Sequence, residues 1–121
     1  MDMSDDYVAG WRRRLSTDKA RRNIRAQEAA SAAQKCAHLL YENYGVRKVY
    51  LFGSLNEPER FHDKSDIDLV VDGLSPRLYF KALAELWRLL PPGMKLDLIP
   101  FENADSELHE RVVKEGVILS G

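Results

Sequence analysis

Two aspartates alternate with apolar residues in the segment Asp66-Ile67-Asp68-Leu69-Val70-Val71. A β-branched run of this kind reads as a strand, and a strand turns successive side chains to opposite faces. Asp66 and Asp68 therefore share one face, while Ile67, Leu69 and Val71 share the other. A later strand, Lys95 to Phe101, repeats the anomaly: Asp97 stands between Leu96 and Leu98 and faces away from both. Three acids thus sit in otherwise hydrophobic strands.

An earlier strand, Val46 to Phe52, runs into Gly53-Ser54, and eleven residues separate that pair from Asp66. Gly53-Ser54 ends its strand, whereas Asp66 and Asp68 begin theirs. The groups meet only if the two strands are antiparallel, because a parallel pairing would hold them apart by a strand length, about 17 Å. The second and third strands are joined through a helix of crossover length, which favours a parallel pair. Asp97 then comes to the same end of a mixed sheet as the other two acids.

Convergence of this kind is costly without cations. Two unit charges about 4 Å apart repel by roughly 4 kcal/mol at an effective dielectric near 20. Three carboxylates either raise a pKa or recruit a divalent metal, and all-oxygen ligation suits Mg²⁺ or Mn²⁺ rather than Zn²⁺. His38, His62 and His109 are scattered, and the single Cys36 lies in an alanine-rich helical pattern as a buried, inert thiol. The glycine of Gly53-Ser54 lets backbone approach a ligand closely, and free N–H groups at such a turn bind phosphate. A Gly-Ser pair alone is usually a plain turn, and an Asp-x-Asp alone is often a turn or a surface feature. The ordered set of strand, Gly-Ser, loop, Asp-x-Asp, helix and strand with Asp97 points to a nucleoside triphosphate site.

The remaining pattern frames this core. From about Asp5 to Tyr44 there is no proline and Gly10 is the sole glycine, so the spacing predicts one long helix or two, with a cap at Ser16-Thr17-Asp18 in the second case. Val8, Trp11 and Leu15 form one apolar stripe. Ala26, Ala29, Ala33, Cys36 or Ala37, Leu40 and Tyr44 form another, ending at Gly45. Leu55 to Ser65 reads as a loop. Ser75-Pro76 opens a helix faced by Leu78, Ala82, Leu83, Leu86, Leu89 and Leu90, which Pro91-Pro92-Gly93 stops. A last helix begins at Asn103 or Asp105 with Leu108, Val112 and Val113 inward, and Val117-Ile118-Leu119 either adds a short strand or packs on the core. The expected class is α/β (α+β): a small mixed sheet of three to four strands flanked by helices, with a helical extension over 1–45 and the core over 46–121.

Charge and hydropathy narrow the function. The 121 residues carry a formal net charge of −1, but seven basic residues and one acid fall between Arg12 and Arg25. From Leu55 onward there are eight basic and thirteen acidic residues. The basic segment could dock nucleic acid or an acidic protein surface. The longest apolar run is Val49-Tyr50-Leu51-Phe52, far short of the roughly 20 residues of a membrane span. The acidic opening lacks an apolar stretch, so a cytoplasmic chain with no secretory signal is expected.

Gly53-Ser54, Asp66-Ile67-Asp68 and Asp97 together resemble the minimal nucleotidyltransferase family of the DNA polymerase β-like superfamily, over about Val46 to Phe101. The resemblance implies a polymerase β-like core and transfer of a nucleoside monophosphate, with ATP as substrate and Mg²⁺ or Mn²⁺ as cofactor. Asp66, Asp68 and Asp97 would hold the metals, Asp97 would help deprotonate the acceptor hydroxyl, and Gly53 and Ser54 would bind the nucleotide. Members of this size are often antitoxins that adenylylate a tyrosine on a helical HEPN-type toxin. Leu55 and Pro58 depart from the family pattern, in which an arginine follows Gly-Ser and a glycine lies four residues after the serine. Arg60 or Lys64 are possible substitutes for the missing cation. About twenty residues follow the third strand, so the acceptor is expected on another chain, with the Trp11 stripe and the basic run as docking surfaces. The alternatives are a non-catalytic antitoxin that neutralises its partner by occlusion and, less favoured, a nucleic-acid binder using the basic helix.

Overall fold

The computed structural model describes residues 3–52 and 67–121, with side chains described from residue 20 onward except at 22 and 23. Gly53, Ser54, the loop that follows, Asp66 and the Val8–Trp11–Leu15 stripe lie outside the described residues or side chains. The element order is helix α1 (Met3–Tyr44), strand β1 (Lys48–Phe52), strand β2 (Ile67–Asp72), helix α2 (Tyr79–Trp87), strand β3 (Leu96–Pro100), helix α3 (Ser106–Glu115) and strand β4 (Val117–Leu119).

The four strands lie in the order β3-β2-β1-β4. β1 pairs antiparallel with β2 and with β4, and β2 pairs parallel with β3 across the α2 crossover. This is the mixed topology that the positions of the acids require. Helices cover both faces. Val49 and Leu51 of β1, Ile67, Leu69 and Val71 of β2, and Leu96 and Leu98 of β3 pack against α1 and α2. On the other face Tyr50 and Val70 pack under Val112 of α3, flanked by Phe52, Ile99, Phe101 and Leu108.

α1 is one helix through Ser16-Thr17-Asp18, not two. Those residues disfavour a helix interior by only about 0.5 kcal/mol each, and no proline or glycine accompanies them. The helix is about 63 Å long. It meets the sheet through Ala26, Ala29, Ala32, Ala33, Cys36, Ala37 and Leu40, all buried. Small side chains there let the helix lie close to the strands. Burial pushes the Cys36 thiol up to about 12, which keeps it protonated and inert. The helix ends where Gly45 takes φ +61°, a left-handed C-terminal cap. Two tyrosines pin its last turns. Tyr41 Oη accepts from the Val49 N–H (2.9 Å) and donates to the Leu119 carbonyl (2.8 Å), and Tyr44 Oη donates to Glu85 Oε2 at 2.7 Å.

Ser75-Pro76 leads into a short 3₁₀ turn, Pro76–Leu78, before α2, and the Ser75 side chain makes no capping bond. Asp105 does cap α3, accepting from the Leu108 N–H at 2.8 Å. Val113 departs from expectation: it is 67% exposed, while Val112 is fully buried. Successive helical residues are about 100° apart, so the narrow contact with the sheet admits Leu108 and Val112 and turns Val113 outward. Val117–Leu119 forms a true edge strand.

Candidate active site

Strand register builds the site. On the α3 face, side chains from neighbouring strands align in rows across the sheet, because directly paired residues point the same way. The middle row is Tyr50, Val70 and Ile99, and Val112 of α3 sits on it. The next row, two residues along each strand, is Phe52, Asp68 and Asp97. The two acids thus occupy adjacent strands at about 4.8 Å backbone spacing. They lie on the same face, at the end where β1 runs out toward Gly53-Ser54. Asp68 is half-buried and Asp97 is exposed.

The reverse face explains why the register holds. Leu69 and Leu98 are direct partners, as are Ile67 and Leu96, and all four are buried beneath α1 and α2. Asp68 and Asp97 each sit between two of these residues and are directed the other way. Among the described residues, no group of three His, Cys, Asp or Glu side chains is close enough to hold a metal ion. Asp66, the third acid of the expected set, falls outside the described residues. The pair Asp68–Asp97 has the oxygen-only chemistry that suits a hard divalent cation. His38 is exposed. His109 stacks on Phe101 at 4.0 Å and its Nε2 lies 2.6 Å from the Phe101 carbonyl, a structural use.

Two residues at the row were not singled out in the sequence. Phe52 is its third member. Arg111 of α3 places its guanidinium carbon 5.2 Å from the Phe52 ring centroid, within cation–π range. A signal existed: Leu108 and Val112 mark the buried stripe of α3, and Arg111 is one turn beyond Leu108 on its flank.

The opposite end of the same strands is built differently. Asp72 Oδ1 receives Arg47 Nη2 at 2.7 Å, and Glu102 Oε1 accepts the Gly73 N–H at 2.8 Å. The bond from Arg47 holds the Asp72 carboxyl below the usual carboxylate range. A cleft of about 630 Å³ opens there, lined by Gly73, Leu74, Tyr79, Phe80, Pro100 and Asn103 among others. It is of a size for small ligands. Its ionisable carboxylate, Glu102, is already engaged by the Gly73 N–H and lies 3.5 Å from Arg47 Nη2. The cleft lies about a strand length from Asp68 and Asp97.

The family model "Polymerase beta, Nucleotidyltransferase" matches residues 34–121, spanning β1 to β4 and the part of α1 that packs on them. The chain belongs to this nucleotidyltransferase family. Solved structures of similar fold agree. A toxin–antitoxin crystal structure with AMP-PNP is 28% identical with TM-score 0.59, covering 74% of this chain and 73% of that one. A mutant of the MntA toxin–antitoxin is 30% identical with TM-score 0.57, covering 72% and 70%. The MntA-HepT toxin–antitoxin is 27% identical with TM-score 0.54, covering 76% and 72%. No curated protein matches the chain. The nucleotidyltransferase fold therefore places Asp68 and Asp97 side by side, and no described helix is long and apolar enough to cross a membrane.

Proposed function

We propose that this nucleotidyltransferase moves AMP from ATP to a tyrosine hydroxyl on a helical HEPN-type toxin, and so acts as the antitoxin of a toxin–antitoxin pair. The observation that carries the reading is the register pair Asp68–Asp97 on one face of the sheet in a chain of the polymerase beta nucleotidyltransferase family. The similar toxin–antitoxin structures, one with an ATP analogue, support the nucleotide and the kind of partner.

In this reading Asp66, Asp68 and Asp97 hold Mg²⁺ or Mn²⁺, and Gly53 and Ser54 receive the phosphates. Bound divalent cations would neutralise the acids and the phosphate oxygens that gain charge. Asp97, the exposed member of the row, accepts the proton of the acceptor hydroxyl. The hydroxyl oxygen bonds to the α-phosphorus, the bond from that phosphorus to the bridging oxygen breaks, and pyrophosphate leaves with the electron pair. Asp68, the half-buried member, would serve as a metal ligand.

The test combines the full chain, Mg²⁺, α-labelled ATP and the helical protein encoded beside it. Label is expected on that partner, and not with Asp68→Asn or Asp97→Asn. Undiminished labelling by either variant removes the assigned roles. If the variants still neutralise the partner in cells, protection works by occlusion instead.

A further inference from the structure

A triphosphate brought to Asp68 and Asp97 carries negative charge toward negative charge, and the leaving pyrophosphate concentrates that charge at its outer end. Divalent ions held at the acids would offset part of that charge. Besides the phosphate contacts proposed at Gly53 and Ser54, the row points to a further donor for the outer phosphates.

From Asp97 through Asp68 to Phe52 the row spans two strand spacings, about 10 Å. Arg111 lies over its far end, with the guanidinium carbon 5.2 Å from the Phe52 centroid. Its side chain is 56% exposed, so it has not been withdrawn into the core, and its distance to Glu115 is 4.0 Å between largely exposed groups. An ion pair of that length and exposure is weak and exchangeable. A guanidinium laid on a ring keeps its planar fork of N–H donors directed outward at its rim, the geometry that matches phosphate oxygens.

We infer that Arg111 binds the β- and γ-phosphates of the nucleotide, and the pyrophosphate product, with Phe52 as the platform that orients it. The inference rests on the nucleotidyltransferase reading above and adds a phosphate-binding residue contributed by the last helix. Phe52 belongs to the same row as the acids, so the platform and the metal-binding carboxylates are set by one register.

The experiment is titration of the full chain, with Mg²⁺ present, by AMP, by AMP-PNP and by pyrophosphate. Arg111→Gln is expected to weaken AMP-PNP and pyrophosphate binding about tenfold or more, with AMP unchanged. Arg111→Lys should recover part of the loss. Lys81→Gln removes the same charge from α2, on the opposite face, and should change none of the three. Equal binding of AMP-PNP by Arg111→Gln and the parent chain overturns the inference while leaving the enzymatic reading intact. An equal loss for AMP and AMP-PNP also overturns it, because that pattern marks a packing role. If the parent chain binds no nucleotide with Mg²⁺ or Mn²⁺, the reading and the inference fall together.

Discussion

Strand β2 carries an aspartate near each end of one face, and the two are treated in opposite ways. Asp72 meets Arg47 at 2.7 Å, and the neighbouring Gly73 N–H is bonded by Glu102. Asp68 is instead set beside a second acid, Asp97, on the next strand. Like charges directly across a sheet are destabilising, whereas a hydrogen-bonded ion pair is neutral to favourable. One end of the strand is thus arranged for stability. The other sets two carboxylates side by side on adjacent strands, an arrangement that a cationic ligand would favour.

The largest expected effect separates activity from stability at the acid row. Asp97→Asn should lower nucleotidyl transfer by at least about 100-fold, the scale of a lost acid–base group. The same variant, in metal-free buffer, should unfold at about the same denaturant concentration, because Asp97 is exposed. A clear loss of stability would mean that Asp97 is structural and would dissolve the contrast.

Gly73→Ala tests the other end. Gly73 has φ +93°, and an added Cβ would lie 3.1 Å from the Arg47 backbone nitrogen. A cost of about 1–2 kcal/mol in chemical unfolding is expected, with nucleotide binding unchanged. Loss of binding without loss of stability would show that the two ends are coupled.

The smallest effect sharpens the comparison through pH. The Arg47 bond lowers the folded pKa of Asp72 below its unfolded value. The resulting stability is present above the unfolded carboxylate value, about 3.9, and disappears as pH falls through the lower, folded value. Asp72→Asn should therefore melt slightly earlier than the parent at neutral pH, and the gap should close only on acidification below about pH 4. A gap that stays constant down to the folded value would show that the ion pair contributes nothing.

Much of this was legible in the residues because sheet rules are local and strict. The alternation in Ile67–Asp72 and Leu96–Pro100 placed Asp68 and Asp97 away from the core, and the need for them to meet Gly53-Ser54 selected the antiparallel and parallel pairings that the structure has. What escaped depends on packing. The path of α1 through Ser16-Thr17-Asp18 was open because those residues favour caps without compelling them. The outward turn of Val113 depends on how narrow the contact of α3 with the sheet is. The seat of Arg111 on Phe52 joins distant parts of the chain that only the finished fold brings together.

The pairing of Leu69 with Leu98 has a consequence for tolerance to change. Sliding β3 by a single position would push a carboxylate into oil and a leucine into water, so half-measures of misalignment are forbidden. The spacing of the two charges is therefore guarded from behind, by greasy side chains on the covered face. A careless trim of Leu69 or Leu98 on the covered face would therefore loosen the spacing of the two acids.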